Sequence, residues 1–225
     1  VYFARETGTT MYAAYRVHYV CAKLYSAMMS GRFTDAMSAA EKLEQIIDAD
    51  LLSVKSPPMA DFVESFLGSK AHVLVRFGRW EEILELKLPT DHDTYCVTTA
   101  TIHYTRGLAF SALGRIAEAE AAQKEFETAR KAVPSSRLNS IPCKEEDVLA
   151  VGSAMLAGEL EYRKGNIETA FHFLREAIVR EDALPYTDPL PWMQPVRHAL
   201  GGLLLEQGRV EEAETLFKQD LGFSL

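Results

Sequence analysis

Two side chains able to bind a metal ion, those of His18 and Cys21, lie three positions apart near the start of the chain. On a helix that spacing places both on one face, so an imidazole nitrogen and a thiolate could bind the same ion. His72 or Glu159 would have to complete the ligand set from other parts of the chain. Such pairs arise readily by chance, so the sequence permits a metal site with His18, Cys21 and His72 but does not require a cofactor.

A second group with ligand chemistry, Asp91-His92-Asp93, has a simpler interpretation. It comes directly before an apolar helical pattern, and Asp and Thr side chains at that place cap the first amide groups of a helix. We therefore interpret Asp91 and Thr94 as helix caps rather than as metal ligands.

Motifs of the common enzyme classes are missing from the sequence. There is no His-Glu-x-x-His zinc motif, no Gly-x-Ser-x-Gly nucleophile elbow and no phosphate loop ending in Gly-Lys-Ser or Gly-Lys-Thr. This favours a protein that is not an enzyme, although a catalytic site assembled from distant segments would leave no such motif.

Composition narrows the classes of partner. Apolar residues make up 48% of the 225 residues, which is ample for a continuous core. Asp and Glu outnumber Lys and Arg by 32 to 24, and a net charge of −8 attracts neither nucleic acid nor anionic lipid. No apolar run approaches the roughly 18 residues that cross a bilayer. We expect neither nucleic acid nor a membrane among the partners.

The three cysteines, Cys21, Cys96 and Cys143, are widely spaced and form no Cys-x-x-Cys pair. An odd number of isolated cysteines is typical of a reducing compartment rather than of a disulfide framework. We expect a cytoplasmic protein in which these thiols are small buried groups.

One short phrase occurs five times and organises the whole chain. It reads glycine, polar residue, bulky apolar residue, two variable residues and then usually alanine. A helical apolar pattern runs up to each glycine and another begins after it. The phrase therefore predicts a turn between two antiparallel helices at five places, Gly31, Gly78, Gly114, Gly165 and Gly208.

The residue types in the phrase suit both helix ends. A glycine just past a helix supplies the left-handed conformation that closes the last turn without steric cost. Acidic residues such as Asp35, Glu118 and Glu168 then fall in the first turn of the next helix, where the positive end of the helix dipole favours carboxylates. Each phrase therefore ends one helix and starts another.

Together these features resemble the tetratricopeptide repeat (TPR) family. In that family small residues recur at the eighth and twentieth positions, with a glycine at the fifteenth. Gly107, Gly114 and Ala119 match, whereas Leu24 and Ile83 depart from the pattern in the first two repeats. The resemblance covers nearly the whole chain. It implies an all-α fold, a right-handed α-solenoid of about five antiparallel helix-turn-helix repeats, in one domain over residues 1–225.

The repeats are longer than those of the family. The turn glycines lie 36 to 51 residues apart, against about 34 in the family. The extra residues stand in proline-marked stretches, which we expect to be loops between hairpins because a helix cannot continue through proline. These stretches are 56–58, 88–89, 133–142 and 185–195.

Both ends of the sequence suggest a part of a longer protein. The chain begins with Val1 rather than Met, and it stops after the fifth repeat with no polar capping helix. We expect the last repeat to meet a continuing array, a partner or a second copy of the chain.

The resemblance also implies which side chains line a concave groove, because fixed positions of the first helix in each repeat face it in that family. The polar, aromatic and titratable residues at those positions are His18, Cys21, Tyr25, His72, Arg76, Tyr104, Glu159, Tyr162, Arg163 and His198. Such a lining favours a scaffold whose groove binds a peptide or a partner protein. Two alternatives stay open: a small-molecule or metal pocket, with or without catalysis, and a purely structural array.

The stretch from Pro185 to Pro195 is the most unusual part of the sequence, with Tyr186 and Trp192 among its prolines. It admits two interpretations. It could drape over the groove as a lid with Trp192 against a ligand, or Trp192 could pack where the first helix of the fifth repeat begins.

Overall fold

The computed structural model describes residues 11–223 and is mostly helical, so the all-α prediction is confirmed. A 3-10 helix, Glu64–Gly68, precedes α5. The helices are α1 (Met11–Met29), α2 (Phe33–Ile46), α3 (Ala49–Ser53), α4 (Met59–Val63), α5 (Ser69–Arg76), α6 (Trp80–Glu85), α7 (Cys96–Ala112), α8 (Ile116–Ala132), α9 (Glu145–Arg163), α10 (Ile167–Asp182), α11 (Val196–Glu206) and α12 (Val210–Asp220).

Each of the five predicted turn glycines lies between two helices and has a positive φ, between 65° and 85°. At Gly114 the backbone N–H donates to the carbonyl of Ser111 at 3.0 Å, and the N–H of Arg115 donates to the carbonyl of Phe110 at 2.8 Å. This bond pair satisfies carbonyls that the end of α7 would leave free. The same pair recurs at the other four turns, which makes five helical hairpins.

The first turn of the second helix in each hairpin carries an acidic residue, as the phrase predicts. In four of the five hairpins the arginine after the turn glycine also pairs with a carboxylate three positions on. Arg115 Nε, for example, donates to Glu118 at 2.7 Å. The pair is exposed, so it adds little stability beyond the favourable dipole.

Small residues allow helices to pack closely, both within one hairpin and between neighbouring hairpins. A Cβ on Gly158 of α9 would lie 2.7 Å from Leu174 of α10, its partner in the same hairpin. On Gly107 of α7, a Cβ would instead lie 2.8 Å from Leu156 of α9, in the next hairpin. The eighth-position glycines therefore serve packing both within and between hairpins.

The second hairpin is much shorter than the others. Its helices α5 and α6 have 8 and 6 residues, and α6 ends before Pro89. The residues between α2 and α5 form two short helices, α3 and α4, and the 3-10 helix instead of one loop. Much of the extra length between the first two turn glycines, Gly31 and Gly78, is therefore helical.

A small antiparallel strand pair interrupts the helical pattern, where the sequence predicted only a loop. Its strands are β1 (Leu138–Ser140) and β2 (Cys143–Lys144). Pro134 and Pro142 prevent a helix there, and the extended segments satisfy their backbone groups by pairing with each other.

The start of α7 is capped by residues from outside the helix. Asp91 accepts the N–H of Thr94 at 3.0 Å, which keeps the pKa of its carboxyl below the usual range. This bond closes the turn before α7, whose N-cap residue is Tyr95, so the prediction that Asp91 and Thr94 cap the helix is wrong. The buried Glu64 accepts the N–H groups of Val97 and Thr98 at 3.2 and 2.9 Å. A side chain 33 residues away thus closes the first turn of α7.

The apolar residues form two main cores. One lies between α1, α2, α3 and α4, and the other lies between the helices of the last three hairpins. Trp192 belongs to the second core, whereas Met193, the next residue, belongs to the first. Within residues 11–223 no helix is both long and apolar enough to cross a membrane.

Candidate functional site

The segment between α10 and α11, residues 183–195, is called the strap below. Four prolines keep it out of helical structure, at positions 185, 189, 191 and 195. Despite this irregular backbone, Thr187, Trp192, Met193 and Gln194 are buried. The strap is therefore packed into the molecule rather than lying on its surface.

Trp192 anchors the strap against the hairpins. Its ring lies edge-on to those of His72 and Tyr104, with centroids 5.1 and 5.2 Å apart, and its Nε1 donates to Met155 Sδ at 2.9 Å. A Cβ on Gly152 would lie 2.8 Å from Trp192. The residues around Trp192 thus come from α5, α7 and α9 and stand at predicted groove positions. These residues come together as predicted for a binding site, but the group that they contact is Trp192 of the same chain.

Hydrogen bonds fix the strap further. The hydroxyl of Tyr104 donates to Gln194 Oε1 at 3.2 Å, and Gln194 Nε2 donates to the carbonyl of His72 at 3.5 Å. Trp192 is 3% exposed. Of the two interpretations of this stretch, the structure agrees with the second: Trp192 packs against protein, in the same core as Val196 and Leu200 at the start of α11.

Three of the predicted groove residues are removed from solvent by this packing. Burial lowers the pKa of His72 to about 4 and raises the pKa of the Cys21 thiol to about 12. Tyr104 is also buried. In this conformation none of the three is open to a ligand, which differs from the expectation that the resemblance raised.

The expected metal ligands do not gather into a site. His18, Cys21 and His72 line one small recess of about 40 Å³, in which Cys21 and His72 are buried. Among residues 11–223 no three His, Cys, Asp or Glu side chains come together in a way that could hold a metal ion.

Three further candidates lie apart from the rest. Arg163 pairs with Glu159 at 2.7 Å, and both line a cavity of about 220 Å³. Tyr162 is buried, and its hydroxyl accepts a hydrogen bond from Gln207 at 2.8 Å. Arg163 and Glu159 pair within α9, whereas Tyr162 bonds to the next hairpin, so the predicted lining is divided among several places.

Tyr25, Arg76 and His198 do come together, in a cavity of about 530 Å³ between the strap and five helices. Tyr25 lies on α1, Arg76 ends α5 and His198 lies on α11. Asp220 of α12 completes the wall. Residues of the first and last hairpins thus line one cavity, which the strap closes on one side.

The acidic residues of this cavity are held by specific partners. Both oxygens of Asp182 accept hydrogen bonds from Arg197 at 2.7 Å. Glu181 accepts the N–H of Val196 at 3.2 Å, and burial raises the pKa of its carboxyl to about 7. Burial, together with the charges of Glu181 and Asp220, also raises the pKa of Tyr25.

His198 links Arg76 to Asp220. Arg76 Nη1 is 3.4 Å from His198 Nδ1, and His198 Nε2 is 3.1 Å from Asp220 Oδ2. A guanidinium can only donate, so Nδ1 accepts from Arg76 and the proton of a neutral imidazole sits on Nε2, where it is donated to Asp220. The ring is thus held in one tautomer and one orientation.

Sequence reasoning missed the acidic half of this cavity. Glu181 and Asp182 end a second helix, and Asp220 ends another, while groove positions were taken only from first helices. The one available signal was the pair of acids directly before the proline-rich stretch. Another cavity, of about 470 Å³ between α10 and α12, contains none of the predicted residues.

Comparison of the chain with protein-family models, curated proteins and solved structures found no match. The geometry of the strap and of the cavity beside it is therefore the basis for assigning a function. That geometry consists of fixed, oriented polar groups at the wall of a partly closed space, which is typical of a binding site.

Proposed function

We propose that this protein is a binding module of the TPR-like α-solenoid class, and that the cavity beside the strap binds a small organic molecule. The single observation that carries the proposal is the strap. It packs against His72 and Tyr104, which the TPR resemblance places in a peptide-binding groove, and it leaves a cavity of about 530 Å³. Cavities of roughly 300–1,000 Å³ are the usual size for small ligands.

The lining supports the same assignment. Part of the lining is apolar, from Tyr25, Met29 and the prolines of the strap, and the polar groups are held by specific partners. Fixed polar groups on a mainly apolar surface give a small ligand both affinity and orientation. The cavity holds no nucleophile paired with a base, so binding alone is proposed and not catalysis.

A thermal-shift screen of small organic acids, amines, amides and alcohols would test the proposal. A ligand at about 100 times its Kd should stabilise the fold by about 2.7 kcal/mol, which raises Tm by roughly 5–10 °C for a chain of this size. Leu190→Trp would fill the cavity and should abolish the shift, while Val210→Trp, another exposed apolar residue outside the cavity, should preserve it.

Two results would overturn the proposal. Either no class of compound shifts Tm, or the shifts persist in Leu190→Trp. In both cases the space beside the strap is not a ligand site.

The peptide-binding scaffold is the second candidate, and the strap itself favours it. An extended, proline-rich segment is seated on the predicted groove positions, with Trp192 as its anchor. If the groove accepts external peptides of this kind, a synthetic peptide with the sequence of residues 184–195 should bind a Trp192→Ala variant more tightly than the unaltered protein. If the peptide binds equally to both proteins, or to neither, the strap is a fixed part of the fold and the groove does not accept external peptides.

A further inference from the structure

Arg76 is the cation of the cavity whose charge is not matched by a carboxylate. None of the ion pairs among residues 11–223 includes it. Its one hydrogen-bond partner there is His198, at 3.4 Å, and its side chain is exposed at the cavity. It therefore retains N–H donors for an incoming acceptor.

The acids around the cavity do not satisfy Arg76 because each is committed elsewhere. Asp182 is bound by Arg197, Asp220 accepts from His198, and Glu181 accepts the N–H of Val196. The cavity thus offers one free guanidinium among three acids with other partners. Such a guanidinium suits a carboxylate, which matches its paired N–H groups in two parallel hydrogen bonds.

The charge of the walls limits how negative a ligand can be. Arg197 matches the charge of Asp182, and burial raises the pKa of Glu181 to about 7, so that carboxyl is only partly ionised at neutral pH. Asp220 and the ionised fraction of Glu181 repel anions, and the free cation provides one positive charge. A phosphate monoester carries nearly two negative charges at neutral pH and would meet more repulsion than a monocarboxylate would. The balance of charges therefore favours a single negative charge on the ligand.

The rest of the lining suits a flat apolar group. Tyr25 and Met29 of α1 line the cavity together with Pro191 of the strap. Tyr186 stands at the same cavity and is 82% exposed, an unusual degree for a large aromatic side chain. An aromatic ligand would cover part of this surface and pack against the tyrosine and proline faces.

We infer that the cavity binds an aromatic monocarboxylate, with its carboxylate on the guanidinium of Arg76 and its ring between Tyr25 and the strap. The inference rests on the proposed function, since it names the class of ligand for the same cavity. His198, held by Asp220, keeps Arg76 oriented toward the ligand.

Calorimetric titration with phenylacetate, phenylacetamide and phenyl phosphate would test the inference. Phenylacetate should bind most tightly. Arg76→Met should weaken it about 10- to 100-fold, the usual worth of a charge-assisted pair, and Arg76→Lys should restore part of the loss. The neutral amide should bind weakly and equally to the unaltered protein and to Arg76→Met.

Arg163→Met is the matched control, because Arg163 stands at the corresponding position of another hairpin but is paired with Glu159. It should leave phenylacetate binding unchanged. If phenylacetamide binds as tightly as phenylacetate and Leu190→Trp abolishes the binding of both, the cavity is a ligand site but the inference that it selects carboxylates is wrong. If the phosphate binds most tightly, the charge argument is wrong, and if none of the three binds, the inference fails.

Discussion

Gly152 shows how one residue decides whether the strap can pack against α9. Its missing side chain leaves the space that Trp192 fills, since a Cβ there would lie 2.8 Å from the ring. Alanine at position 152 would favour the helix through its propensity, but its methyl group would overpack against the Trp192 ring. That ring is buried and therefore has no open space to move into.

We expect Gly152→Ala to destabilise the fold by about 1–3 kcal/mol in urea unfolding. The matched substitution is Gly202→Ala in α11, where a Cβ would meet nothing within 4 Å. That change should stabilise the fold by about 0.5–1 kcal/mol through helix propensity alone. Stabilisation by both substitutions would show that Trp192 is not seated against Gly152.

His72, beneath Trp192, should make stability depend on pH. Its folded pKa is lowered by burial from 6.5 to about 4, so the unfolded chain takes up the proton more readily. The stability from the neutral ring is therefore present above about pH 6.5 and is lost as pH falls toward about 4. The full effect is roughly 3 kcal/mol at most, at about 1.4 kcal/mol per pKa unit.

The measurement is the free energy of unfolding of the unaltered protein minus that of His72→Gln, taken at about pH 7.5 and about pH 5. The difference should shrink by about 2 kcal/mol at the lower pH. Subtraction is needed because Glu145 and Glu181, with pKa values raised to about 7 by burial, change stability in the opposite direction. The exposed His172→Gln is the control and should give no such change.

At the scale of elements, the cap on α7 differs from an ordinary cap because it comes from a distant, buried side chain. Glu64→Gln replaces an oxygen that accepts hydrogen bonds with an NH₂ group that faces donors. We expect a loss of about 1–3 kcal/mol on thermal or urea unfolding. Asp48→Asn is the control, since Asp48 caps α3 locally at 2.8 Å and Asn caps nearly as well. Equal effects would argue against the distant cap.

Elements that depend on local chemistry were predictable. The five turns, the helices around them and the acids of the first turns follow from glycine conformation, apolar period and the helix dipole, each acting within a few residues. The short helices α3 and α4 and the strand pair were not predicted. Proline marked where the long helices stop but does not say whether the next residues form a loop, a short helix or a strand.

At the scale of the whole molecule, the strap joins the two main cores. Trp192 packs with the last three hairpins and Met193 with the first. Two neighbouring residues thus add to the contacts between the two parts of the chain, which are also joined by the packing of α7 on α5 and by the cap that Glu64 provides. Arrays of hairpins are stabilised mainly by nearest neighbours, so a contact of this range should increase their cooperativity.

Met193→Ala should therefore lower both stability and cooperativity. We expect a loss of about 2–5 kcal/mol together with a smaller apparent m value or a biphasic urea curve. Met59→Ala removes a buried methionine from the same core but outside the strap, so it should lower stability without changing m. An unchanged m value in both variants would show that the strap does not couple the cores.

The sequence by itself determined the helical class, the five turns and the chemistry of the helix ends, because these are decided by residues a few positions apart. It also identified Tyr25, Arg76 and His198 as groove candidates through the resemblance, and these three do share one cavity. Only the tertiary structure decided that the strap packs against His72 and Tyr104 and that Glu181, Asp182 and Asp220 complete the cavity. The contacts that place them join residues far apart in the sequence, such as Arg76 and His198, which are 122 positions apart. Such contacts depend on side-chain packing across the whole chain. No local period in one sequence records that packing.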